Sequence, residues 1–139
     1  MKFKLCFTLL FLSLIITSFT SNKISNKENS NMENKKNDSL LRHVVLFKFK
    51  ANTPSEKIKE IEEAFKNLPN KIPQIQGYEW GLNNSPENLN KGFTHCFLLT
   101  FKSETDRDIY LPHPDHKAFG AILTPHLDDV LVVDYWSHY

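Results

Sequence analysis

The segment His43-Val44-Val45-Leu46-Phe47-Lys48-Phe49-Lys50 constrains the fold most. Successive side chains of a β-strand point to opposite faces, so His43, Val45, Phe47 and Phe49 share one face and Val44 and Leu46 the other. Both faces are apolar near the start of the strand, which predicts cover on both sides there. A second run, Phe93 to Lys102, repeats the pattern. His95, Phe97, Leu99 and Phe101 fall on one face, and Thr94, Cys96, Leu98 and Thr100 on the other. Cys96 reads as a small buried hydrophobe rather than a nucleophile.

The remaining elements follow from local signals. Thr53-Pro54-Ser55-Glu56 predicts a helix start, with Thr53 as N-cap, Pro54 in the first turn and Glu56 closing a capping box. Ile58, Ile61, Ala64, Phe65 and Leu68 then recur at helical spacing as one buried stripe, and Pro69 ends the helix. Gly77 to Leu82 predicts a short strand, followed by a polar loop from Asn83 to Gly92. Ser103 with Asp106 caps a short helix carrying Ile109, Tyr110 and Leu111. Pro112 and Pro114 interrupt it, and a further helical piece runs from about Asp115 to Ile122. Val130 to Trp136 is the last strand. The order β-α-β-β-α-β is that of a ferredoxin-like α+β fold.

This domain is expected over residues 40–139. Ahead of it, residues 1–21 read as an export signal, with Lys2 and Lys4 preceding the apolar run Leu5 to Ile16 and small residues at Thr17 to Ser21. The expected location is therefore secreted, periplasmic or tethered to the cell envelope, with membrane contact only where the leader stays uncleaved. Residues 22–39 are Asn, Lys, Ser and Glu with almost nothing apolar, a composition that predicts a disordered linker. From Leu40 onward acidic residues outnumber basic ones, although the whole chain carries a formal charge of +1. The domain thus lacks the basic footprint of a nucleic-acid binder.

Chemistry is concentrated in the histidines, all of which stand at or after His43. An unperturbed imidazole, with a pKa of ~6.5, can take a proton from an acidic carbon near neutral pH. A phenol beside it can steady the resulting enolate oxygen. Tyr110 and His116 are the candidate catalytic pair. His43 and His95, on the same-facing sides of two strands, are candidate pocket residues. His113, just before Pro114, reads as a turn-forming hydrogen-bonding residue, and His126 and His138 as surface residues. A metal site built from His113-Pro114-Asp115-His116 with His95 is the rival reading, but the proline makes a rigid turn and no cysteine or carboxylate cluster completes the set. No metal or cofactor is expected.

These residues resemble a known family. The strand His43-x-Val45-x-Phe47-x-Phe49, the segment Trp80-Gly81-x-Asn83-x-Ser85-x-Glu87, Thr94-His95, Tyr110-x-x-His113-Pro114-x-His116 and Asp134-Tyr135 are together similar to the stress-responsive α/β-barrel (Dabb) family. The resemblance covers Leu40 to Tyr135. It implies a ferredoxin-like fold that pairs into a homodimer whose two sheets form an α/β barrel. By resemblance to a plant polyketide cyclase of that family, Tyr110 and His116 would be catalytic, with His43 and His95 in the pocket. Val45, Phe47, Ile61, Phe65, Phe97, Leu99 and Leu127 would line its apolar part. Glu62 and Leu127 depart from the pattern, standing where the cyclase has aromatic residues. The implied function is binding of a small hydrophobic carbonyl or phenolic compound, with cyclase- or lyase-like chemistry. The alternative is a non-catalytic structural dimer. The fold is shared with haem-degrading and quinol-oxidising monooxygenases, for which the sequence carries no convincing motif.

Overall fold

The computed structural model describes residues 39–138, so the export signal and all of the linker but Ser39 lie outside the described residues. Four strands form one antiparallel sheet: β1 (Leu41–Phe49), β2 (Gly77–Leu82), β3 (His95–Phe101) and β4 (Leu127–Trp136), in the spatial order β2-β3-β1-β4. Helix α1 (Ser55–Lys66) links β1 to β2, while α2 (Glu104–Tyr110) and α3 (Pro114–Leu123) link β3 to β4. This is the ferredoxin-like α+β arrangement read from the sequence. Among the described residues no helix is long and apolar enough to cross a membrane.

Register decides which side chains meet. On the helix-covered face the cross-strand rows are Tyr78–Leu99–His43–Asp134, Trp80–Phe97–Val45–Val132 and Leu82–His95–Phe47–Val130. Ile61 and Phe65 of α1 and Phe119 of α3 close over the middle of these rows. Phe65 stands 4.5 Å from both Phe97 and Phe119 between ring centroids, and Phe47 stands 4.9 Å from Phe97. Each such aromatic pair adds about 0.5–1.5 kcal/mol beyond its area burial.

Among the described residues the opposite face has no helix. Its rows are Glu79–Leu98–Val44–Val133 and Gly81–Cys96–Leu46–Leu131. Leu131, Val133 and Tyr135 are exposed there. The expectation of two-sided cover is thus not met among the described residues, because α1, α2 and α3 pack on the same side. Cys96 is correspondingly exposed rather than buried. Its strand turns it to the face without helices.

Three of the deviations at element ends have a visible cause. Helix α1 starts at Ser55 with Pro54 in the N-cap position and no side-chain cap, so the predicted Thr53 capping box does not form. The extended backbone of Pro54 moves the helix one residue later, and the Thr53 hydroxyl donates to the His126 carbonyl at 3.3 Å instead. Strand β3 begins at His95 rather than Phe93, because Phe93 N–H closes a turn onto the Asn90 carbonyl at 2.8 Å. Gly92 permits that turn: its φ of 87° lies in the left-handed region, and an added Cβ would stand 2.8 Å from Lys48 Cε. Strand β4 begins at Leu127, earlier than predicted. Its polar opening, Asp128-Asp129, is tolerated on an edge strand, where Asp128 pairs with Lys48 at 2.6 Å.

Candidate functional site

Two breaks in the chain assemble the site. Ser103 caps α2 by accepting from Asp106 N–H at 3.1 Å, and this helix ends on Tyr110. His113 then caps α3, its Nδ1 accepting from Asp115 N–H at 3.2 Å. Its own N–H donates to the Tyr110 carbonyl at 3.0 Å. The turn-forming role read for His113 is thus realised. The tight turn brings His116 back over Tyr110, with ring centroids 4.3 Å apart.

Tyr110 is buried between His116, Phe101 at 5.2 Å and His43 at 5.9 Å. Burial pushes its phenol well above the usual tyrosine range, so it is a hydrogen-bond donor at neutral pH. His43 is held from the other side. Its Nδ1 lies 2.6 Å from Asp134 Oδ1, and Arg107 donates to Asp134 Oδ2 at 3.0 Å.

The acceptors dictate the tautomers. A carboxylate and a carbonyl can only accept, so His43 Nδ1 carries its proton toward Asp134, and His116 Nδ1 donates to the Leu111 carbonyl at 2.9 Å. In the neutral form both rings then keep Nε2 unprotonated, the state a general base requires.

His95 differs. Its Nε2 faces Glu62 Oε1 at 3.0 Å and its Nδ1 faces Thr94 Oγ1 at 2.8 Å, so both ring nitrogens are occupied. It also lies apart from the cluster. His43 pairs with Leu99 and Phe47 with His95, which puts four residues of strand, roughly 13 Å, between the two histidines. The four-residue rim read from the sequence therefore divides: His43, Tyr110 and His116 come together, and His95 stands at the other end of the sheet. The departure at Glu62 supplies the partner that occupies it.

The apolar residues Val45, Phe47, Ile61, Phe65, Phe97 and Leu99 are core, and Leu127 packs on their margin. Phe47, Phe65 and Phe97 fill the space they share. Apolar surface is left open on the helix side at both sheet edges: Trp80 and Leu82 on β2, and Val130 and Val132 on β4, 45% and 49% exposed in the rows beside Asp134. Sequence reading missed these valines, Arg107 and the role of Asp134. A lone carboxylate among Val132, Val133, Tyr135 and Trp136 was the available signal for the last. A separate groove of about 560 Å³ lies along the β2 edge, lined by Leu46, Trp80, Leu82, Phe93, Cys96 and Leu98 among others. Its lining draws on both faces of the sheet, and of the candidate site residues it touches only His95.

The histidines of the metal reading are not gathered into one ligand set among the described residues. His113 Nδ1 caps a helix, His116 Nδ1 bonds a carbonyl, and His95 is paired elsewhere. Among the described residues no group of three or more His, Cys, Asp or Glu side chains is placed to hold an ion.

A ferredoxin-like sheet carrying a histidine–tyrosine cluster on its helix-covered face defines the class. The profile of the stress responsive A/B barrel domain matches residues 41–137. The chain belongs to that family. It is 41% identical over 95 residues to the stress-response A/B barrel domain-containing protein HS1 of Arabidopsis thaliana, covering 68% of this chain and 87% of that protein. It is 32% identical to the olivetolic acid cyclase of Cannabis sativa over 96 residues, covering 68% and 94%. Among solved structures, hydroxynitrile lyase from Passiflora edulis superposes with a TM-score of 0.67 at 27% identity, covering 71% of this chain and 94% of that one. A dimeric ferredoxin-like protein of Bacteroides fragilis matches with a TM-score of 0.57 at 31% identity, covering 69% and 94%.

The Glu62–His95 pair generates a stability prediction. Glu62→Ala leaves a buried imidazole N–H without its acceptor and should lower the unfolding free energy by about 1–3 kcal/mol. Urea unfolding of both proteins measures it. An unchanged midpoint would contradict the pairing.

Proposed function

We propose that this domain binds a small hydrophobic carbonyl or phenolic compound and moves a proton on it with Tyr110 and His116. One observation carries the reading: Tyr110 is packed between two histidines whose Nδ1 protons are committed to Leu111 and Asp134. In this reading the ligand approaches over Val130 and Val132, beside Asp134. His116 Nε2 takes a proton from the carbon next to a carbonyl, and the Tyr110 hydroxyl donates to the oxygen on which negative charge grows. His43, oriented by Asp134, offers a second acceptor for a proton on the ligand. The cyclase and the lyase among the relatives support this class of chemistry.

The test needs no knowledge of the substrate. Exchange of the central protons of pentane-2,4-dione into D2O, followed by NMR, should be faster with the protein than with imidazole alone. His116→Ala should reduce the accelerated rate by on the order of 10². A wild-type protein that gives no acceleration would sink the catalytic reading. It would favour the second one, a non-catalytic structural dimer, which the close packing of Phe47, Phe65 and Phe97 supports.

We also propose a homodimer formed through the sheet face without helices. The dimeric relatives and the apolar rows through Val44, Leu46, Leu98, Leu131 and Val133 support it. Sedimentation should give twice the chain mass for the wild type and a monomer for Val133→Asp. A dimer that persists in the variant would place the interface elsewhere.

The leader extends the proposal to a secreted or envelope-tethered domain. Mass spectrometry of the mature chain from the producing cell should show a start close to Asn22, whereas retention of Met1 would favour an uncleaved anchor.

A further inference from the structure

Tyr78 lies within β2 and its side chain points to the helix-covered face, in the row Tyr78–Leu99–His43–Asp134. Its ring packs on Phe65 at 5.6 Å and Phe97 at 6.3 Å between centroids. Its hydroxyl is buried and makes no hydrogen bond, a condition shared among the described residues only by Gln74 Oε1. Buried polar groups in folded proteins almost always find a partner, and the protein itself offers the Tyr78 hydroxyl none. Packing does not account for it, because phenylalanine would fill the same space without the cost.

We propose that the Tyr78 hydroxyl is a ligand-binding group, donating a hydrogen bond to a neutral oxygen of a small apolar molecule held between the sheet and the helices. This rests on the acid–base reading above and narrows its substrate class. In the shared row only Leu99 separates Tyr78 from His43, two strand spacings or roughly 10 Å in all. The Tyr78 hydroxyl and the His43–Tyr110–His116 cluster thus face the same layer, on either side of the buried Leu99. Tyr78 is close enough to Tyr110 for its charge to bear on the Tyr110 phenol. Burial, and then the carboxylates of Glu63 and Glu62, push the Tyr78 phenol well above the usual range, so it donates throughout the neutral region. The same two carboxylates disfavour an anionic ligand group at that end. The oxygen received there is a carbonyl or hydroxyl rather than a carboxylate.

Acetophenone, an aromatic ketone with one carbonyl, tests this on the full chain. Its carbonyl infrared band should lie at lower frequency when bound to the wild type than when bound to Tyr78→Phe. The variant should bind it about five- to tenfold more weakly, the loss of one hydrogen bond. Without acetophenone, Tyr78→Phe should melt at the wild-type temperature or above it, since the removed hydroxyl has no partner in the protein. A clear fall in melting temperature would show that the hydroxyl serves the fold, and would overturn the proposal. Equal affinity and an unshifted band in the two proteins would overturn it while leaving diketone exchange, and with it the acid–base reading, intact. A wild type that neither binds acetophenone nor accelerates that exchange would end both.

Discussion

Strand β1 pairs with β3 from Leu41 to Phe47 on one side and with β4 along its whole length on the other, and the molecule depends on that double pairing. Because side chains alternate with a period of two, one register sets the contents of both faces at once. It places His43 beside Asp134 and Phe47 beside His95. It also sends Val44 and Leu46 to the face that no helix covers. A slip by one residue would exchange the two faces. His43 would then lose its carboxylate, and the phenylalanine layer would lie on the uncovered side of the sheet.

Between the two ends of the sheet lies the phenylalanine layer, and it gives the histidines different fates. At the β4 end, His43 and His116 each use one nitrogen for positioning and keep the other. At the β2 side, His95 is closed on both nitrogens by Thr94 and Glu62. A histidine with both nitrogens engaged is a structural element. One with a single nitrogen anchored to an acceptor is a group prepared to accept a proton. Residue type alone does not separate these cases; partners do.

The uncovered face and the half-exposed β4 valines belong to one account of association. A domain of about 100 residues leaves a large share of its surface in water. Here much of the exposed apolar part is gathered on one sheet face and one edge strand. Concentrated apolar exposure of this kind is a feature of interaction surfaces. The groove beside Trp80 and Leu82 continues that surface around the β2 edge. The apolar second face read along β1 is real, but its cover is intermolecular in this account.

Much of the architecture was legible in the residues themselves. The alternation in β1 and β3, the stripe Ile61–Phe65–Leu68 and the Ser103 cap are local signals, each dictated by the geometry of one element. They suffice for element order and for the inward face. The Tyr110-x-x-His113-Pro114-x-His116 run was also readable, because a proline and a capping histidine force a tight turn that stacks the rings of Tyr110 and His116. Only the tertiary structure decided which histidines are free. The bonds of His43 to Asp134 and of His95 to Glu62 join residues 91 and 33 positions apart. The burial of the Tyr78 hydroxyl, likewise, depends on packing across strands and helices. Such long-range juxtapositions follow from register and helix placement, which no local pattern encodes.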